Sequence, residues 1–201
     1  MLNPIEGEIF YIDKPLRWTS FDAVKRIRSV LARRSGKKRL KVGHAGTLDP
    51  LATGVLIVCT GRATKRIDEL QAHEKEYVAE ITLGATTPSF DLETEIDATY
   101  PHEHIDRALI DSVLPQFTGN IMQVPPAFSA CKVDGRRAYK IARKGRQPDL
   151  KAKELVISES RCSIGPRRAS PCVWCAAKAP TSGRLPATSA PPSVAVLTSP
   201  P

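Results

Sequence analysis

One carboxylate, Asp49, sits inside Lys41-Val-Gly-His-Ala-Gly-Thr-Leu-Asp-Pro-Leu-Ala-Thr-Gly54, just before the apolar run Val55-Leu-Ile-Val-Cys-Thr60. A lone carboxylate can serve as nucleophile or general base if the chain holds it still. Gly43, Gly46 and Gly54 let the loop turn tightly or lie close to a ligand. Pro50 pushes Asp49 away from helical geometry. Val55 to Val58 is short, β-branched and closed by Thr60-Gly61, which predicts a buried strand behind the loop. His44 precedes Asp49 at no helical or metal-ligand spacing. On pattern alone a second reading stays open, in which Asp49 caps a turn and the glycines serve only the bend.

Other elements must carry this loop. Residues 7–14 alternate apolar and polar side chains and then turn at Lys14-Pro15. Ser20 can cap a helix whose apolar positions are Val24, Ile27, Val30 and Leu31. Lys75 to Gly84 reads as a strand with Tyr77, Ala79, Ile81 and Leu83 on one face. Ile105 to Phe117 has helical spacing, with Ile105, Leu109, Val113 and Leu114 apolar. Val133-Asp134-Gly135 reads as a strand end and tight turn, followed by a short basic helix with Arg136, Arg137, Lys140, Arg143 and Lys144. Strands and helices mix without regular β-α-β alternation, so the expected class is α+β with a largely antiparallel sheet flanked by helices. As bare residues, Lys14 is a solvated strand end, Tyr77 a core aromatic and the basic run a solvated face.

The chain has 201 residues and a formal charge of +9. That charge is unevenly placed. Residues 161–201 hold five bases and no acid, which leaves 25 bases against 21 acids in residues 1–160. An argument for nucleic acid therefore rests on local clusters: Arg33-Arg34, Lys37 to Lys41, Arg62-Lys65-Arg66 and the Arg136–Lys144 segment. No dinucleotide loop, P-loop or paired-histidine zinc spacing occurs, so neither cofactor nor metal is expected. Cys59 and Cys131 read as reduced thiols, and the start lacks the regions of a signal peptide. No run is long enough to span a membrane, and a cytoplasmic monomer is the expectation.

Three blocks carry a resemblance. They are Gly7-Glu-Ile-Phe-Tyr-Ile-Asp-Lys-Pro-Leu-Arg-Trp-Thr-Ser20, the Gly43–Gly54 loop with Lys75-Glu-Tyr77, and Gln123-Val-Pro-Pro-Ala-Phe-Ser-Ala-Cys-Lys132 running on to Gly145. In this order, over most of residues 7–157, they resemble the bacterial TruB family of tRNA pseudouridine synthases. The resemblance implies a mixed, largely antiparallel sheet and an isomerase that converts uridine 55 in the TΨC loop of tRNA to pseudouridine without a cofactor. It makes Asp49 the catalytic residue, with Tyr77, His44 and Lys14 contacting or bordering the flipped-out base. Arg62, Lys65, Arg136 and Arg143 are candidates for the RNA backbone. A guide-RNA-directed synthase and a non-catalytic RNA-binding or tRNA-folding protein remain as alternatives.

From about residue 160 the composition changes. Residues 161–201 hold 8 of the 17 prolines and read as a disordered tail after a catalytic domain at 1–160. The family expects a strand near C-x-K-G-T-Y-I-R-S-L-A-R-D-L-G here, with an arginine that pairs with the catalytic aspartate. Lys178 to Ala190, with each codon read one base earlier, yields K-G-T-Y-I-R-S-L-A-R-D-L-G with permitted codons. A frameshift near residues 158–162 is therefore expected, with the arginine codon split across Ser182 and Gly183, and turnover is expected of a frame-restored chain alone. On that reading Cys172-Val-Trp-Cys175 is neither a redox nor a zinc site.

Overall fold

The computed structural model describes residues 3–4, 6–36, 39–129, 131–165, 172–179 and 196–198. The described chain divides into two compact units, one formed mainly by residues up to Lys75 and one by Glu76 onward.

The first unit holds strand β1 (Ile9–Lys14), helix α1 (Ser20–Ser35), β2 (Val42–Ala45), β3 (Gly54–Thr60), a 3-10 turn (Gly61–Arg66) and α2 (Ile67–Ala72). β3 is the central strand of an antiparallel sheet ordered β1-β3-β2. Its position follows from its side chains: Leu56, Val58 and Cys59 are at most 1% exposed. Val55, expected in the buried run, is instead exposed at the strand's start. Helix α1 covers one face through Ala23, Val24 and Leu31, with Ile27 packed beside them. Val30 lies at the edge of that stripe and is exposed, whereas the small Ala23 is buried. The cap of the helix is Thr19, not Ser20: Thr19 accepts from the Asp22 N–H, and the Asp22 carboxylate accepts from the Thr19 N–H at 3.0 Å. Gly36, left-handed at φ 66°, ends it.

In the second unit, β4 (Lys75–Thr82), β5 (Ala85–Thr86) and β6 (Ala98–Thr99) precede helix α3 (Arg107–Val113). Asp106 caps α3 by accepting from the Leu109 N–H, and a 3-10 turn at Leu114–Phe117 replaces the expected last helical turn where Pro115 enters. The buried position of α3 is Ile110, while Leu109 faces water. Next come β7 (Gly119–Gln123), β8 (Lys132–Val133), β9 (Arg136–Arg137), α4 (Ala138–Ala142), β10 (Lys153–Ile157) and β11 (Glu159–Gly165). The basic helix is thus shorter than expected. Arg136 and Arg137 belong to a hairpin, because Asp134 and Gly135 both take positive φ, 49° and 76°, as a two-residue hairpin turn requires.

Strands β12 (Cys172–Ala179) and β13 (Val196–Thr198) depart from the expectation of a disordered tail, as does β11 over residues 161–165. Cys172 to Ala179 contains no proline and includes Val173 and Trp174, which suit a strand paired with β11. The rest of residues 161–201 lies outside the described residues. The four-stranded sheet runs β11-β12-β4-β13, and every strand register that is described is antiparallel. The α+β class holds, although the strands form several small sheets and not one continuous sheet.

Candidate active site

The loop from Gly46 to Thr53 joins β2 to β3 at one end of the three-stranded sheet. Lys14 ends β1 at that same end, directly opposite Gly54. Gly46 and Gly54 bracket the loop with φ of 102° and 108°, conformations that exclude ordinary side chains. Gly43 serves packing instead: a Cβ there would lie 2.8 Å from Ile67 Cδ1. Within the loop the Ala52 N–H donates to the Asp49 carbonyl at 3.0 Å, closing a turn around Pro50. Leu48 packs on the core cluster of Val24, Leu31, Leu56 and Val58. Asp49 is half-buried and follows directly on this core-anchored residue.

Lys14 is not the solvated strand end that its bare sequence suggests. It is fully buried and its Nζ donates to the carbonyls of Pro15 at 2.9 Å and Trp18 at 2.6 Å. Burial pushes its amine below the ordinary lysine range, and the negative charge of Asp49 pulls the other way. The two groups therefore share one electrostatic neighbourhood. His44 is half-buried on β2, opposite Val58, and its Nδ1 contacts the Gly46 carbonyl. A carbonyl only accepts, so Nδ1 is the donor in this contact. Arg62 and Lys65 are exposed on the 3-10 turn after β3.

The remaining expected residues belong to the second unit. Tyr77 on β4 is half-buried, and burial raises its phenol above the ordinary tyrosine range. Arg136 and Arg143 are exposed, and the Arg143 guanidinium lies 5.4 Å from the centre of the Tyr139 ring. Among the described residues no cluster of His, Cys, Asp and Glu could hold a metal ion, and no helix is long and apolar enough to cross a membrane. Cys59 and Cys131 are free thiols, whereas Cys162 is disulfide-bonded and stands opposite Cys175 in the β11–β12 register.

Two residues that sequence reasoning gave no role at the site touch this loop. The Ser20 hydroxyl, taken as a helix cap, bonds to both backbone groups of Leu48. The Arg17 N–H donates to the Pro50 carbonyl at 2.7 Å. The signal for the first was readable in part, since Thr19-x-x-Asp22 is a capping box and frees Ser20 for other work.

Residues 33–176 match the family model described as TruB family pseudouridylate synthase (N terminal domain). The chain belongs to the TruB family. A tRNA pseudouridine synthase B of Phocaeicola vulgatus is 65% identical over 158 residues, covering 79% of this chain and 67% of its own. One from Bacteroides fragilis is 66% identical over 158 residues, covering 79% of this chain and 68% of its own. The chain thus spans about two thirds of the length of these relatives. Among solved structures, a chain in the crystal structure of a Cbf5-Nop10-Gar1 complex aligns with a TM-score of 0.59 at 25% identity, over 88% of this chain and 40% of that one. A second, from an archaeal box H/ACA sRNP Nop10-Cbf5 complex, aligns with a TM-score of 0.52 at 22% identity, over 87% of this chain and 38% of that one, and attests the shared fold. Family and relatives place the chain among the tRNA pseudouridine synthases, which are isomerases, with RNA as the substrate class.

Proposed function

We propose that this chain is built to isomerise uridine 55 in the TΨC loop of tRNA, with Asp49 as the catalytic residue. The observation that carries the reading is the mount of Asp49: a half-buried residue in a turn that Leu48 anchors in the core, at the sheet end where the buried Lys14 lies. The reaction breaks the bond from ribose C1′ to N1 of uracil, turns the base and forms a bond from C1′ to C5. The C5 proton leaves and N1 ends protonated, so atoms balance without a co-reactant. A carboxylate can serve as nucleophile at the sugar or base, or as the base that takes the C5 proton. The uridine must leave its stack to reach such a group. The family resemblance assigns Tyr77 to stacking on the extruded base and His44 to supporting it, and makes Lys14 a border of the site. Exposed Arg62, Lys65, Arg136 and Arg143 are suited to phosphates. The chain is proposed to act as a cytoplasmic monomer.

The chain as it stands is proposed to lack turnover. The out-of-frame string in Lys178–Ala190 supports a frameshift near residues 158–162, which removes the arginine that the family resemblance pairs with Asp49. The coding DNA tests this first: an open K-G-T-Y-I-R reading in the neighbouring frame is expected, and its absence overturns the frameshift. The function is tested by incubating the chain and its frame-restored form with unmodified tRNA and mapping pseudouridine along the RNA. Modification at position 55 by the restored form alone is expected. Modification elsewhere would refute the assigned target. RNA binding without turnover by either form would favour the RNA-folding reading.

A further inference from the structure

The backbone on each side of Asp49 is tied to the turn between β1 and α1, and the tie is made by residues to which the reaction gives no role. The Ser20 hydroxyl is nearly buried, accepts from the Leu48 N–H at 2.9 Å and donates to the Leu48 carbonyl at 3.0 Å. One hydroxyl thereby satisfies both backbone groups of the residue before the carboxylate. On the other side, the Arg17 N–H donates to the carbonyl of Pro50, the residue after it, at 2.7 Å. Arg17 makes that bond from a left-handed conformation, φ 67°, which costs an arginine strain and persists only where surrounding bonds over-determine it. Those bonds are present: the buried Lys14 Nζ holds the carbonyls of Pro15 and Trp18, and the Trp18 N–H donates back to the Pro15 carbonyl at 3.3 Å.

We propose that the Ser20 hydroxyl is a positioning residue, which with the Arg17 backbone N–H forms a two-point clamp fixing Asp49 for reaction. The inference rests on the reading of Asp49 as the catalytic group. A hydroxyl bonded to both N–H and C=O of one residue permits neither shift along the chain nor rotation of the peptide planes. Small misplacements of a reacting group are costly, on the order of 100-fold per ångström. The clamp does not touch substrate, so its loss should appear in kcat and not in KM.

The test uses the full chain carrying Ser20→Ala, Ser20→Thr or Asp49→Asn. Hydrogen exchange of the Leu48 amide requires no turnover. Ser20→Ala should speed it by about 10-fold, with protection of the α1 amides retained, and Ser20→Thr, which keeps the hydroxyl, should restore it. In whichever of the full chain and its frame-restored form turns over, Ser20→Ala should lower kcat by about 10- to 100-fold with KM within twofold, and Ser20→Thr should recover most of it. Unchanged Leu48 exchange in Ser20→Ala overturns the clamp. So does a loss of protection spread evenly over the first unit, or an effect confined to KM. Full turnover by Asp49→Asn would instead overturn the catalytic reading, while the exchange measurement still reports on the clamp.

Discussion

The loop that carries Asp49 and the hairpin that carries Arg136 are both short turns bearing charge, and they are built in opposite ways. Around Asp49 the side chain of Leu48 enters the core, and backbone groups at Leu48 and Pro50 are each bonded to a distant segment. The carboxylate has one short stem and little freedom. In the hairpin the Asp134-Gly135 turn fixes the strands locally, and the guanidinium of Arg136 stands exposed on a long flexible stem. The contrast matches two kinds of work. A group that reacts gains from being held in one place. A group that meets a phosphate backbone gains from charge and reach, and needs no fixed geometry.

The contrast can be broken from either side. The largest effect is expected at the foot of the clamp. Lys14→Met removes the buried donor that ties the Pro15 and Trp18 carbonyls together, leaving the Pro15 carbonyl only its bond from the Trp18 N–H. A loss of about 3 kcal/mol in denaturant-derived stability is expected, against under about 0.5 kcal/mol for an exposed Lys65→Met. Equal losses would remove the distinction between a structural lysine and a solvated one. On the hairpin side, Arg136→Ala with Arg143→Ala should weaken tRNA binding about 10-fold. It should also flatten the slope of log affinity against log salt by roughly 1 to 2, with the melting temperature unchanged. A salt slope identical to that of the parent chain would take these arginines off the RNA.

Two smaller effects probe the turn that feeds the clamp. Thr19→Ala removes half of the capping box and should cost about 1 kcal/mol. The Asp22 carboxylate is held below its ordinary pKa by its bonds to Thr19, so its share is present above that ordinary value and is lost as pH falls through the lower folded value. The gap between thermal melts of Thr19→Ala and parent should therefore narrow as pH falls through that lower value and stay open at pH 7. The smallest change has the opposite sign. Arg17→Gly relieves a left-handed arginine and should raise stability by about 0.5 to 1 kcal/mol, read as a higher melting temperature. A lower one would mean that the Arg17 side chain contributes more than its backbone strain costs.

What the sequence disclosed, and what it hid, follows the same division. β3 was legible because its short β-branched run is closed by Thr60-Gly61 and sends Leu56 and Val58 into the core, and α1 because Val24, Ile27 and Leu31 share a helical stripe. Arg136 and Arg137 were misplaced on a helix because a run of charge masks the Asp-Gly turn, which alone determines the local structure. The strand at Cys172–Ala179 was missed because the prolines around it dominate the composition. At the site, the loop pattern made Asp49 a candidate beside a turn-capping reading, and the proposed catalytic role came from the family resemblance. The bond from Ser20 to Leu48 joins residues 28 apart in sequence and has no local signature. The burial of Lys14 was hidden for the same reason: its partners, the Pro15 and Trp18 carbonyls, are backbone groups with no side-chain identity to read.

The central claim is that the carboxylate held in this loop performs the isomerisation. Its most direct test is the single-turnover rate of pseudouridine formation on an unmodified tRNA TΨC stem-loop, comparing the frame-restored chain with the same chain carrying Asp49→Asn. The substitution keeps the size of the side chain and its place in the clamped turn, and removes only the carboxylate. The account predicts a fall of at least about 1,000-fold with stem-loop binding retained within a few-fold. A variant that forms pseudouridine within about 10-fold of the parent rate would contradict it.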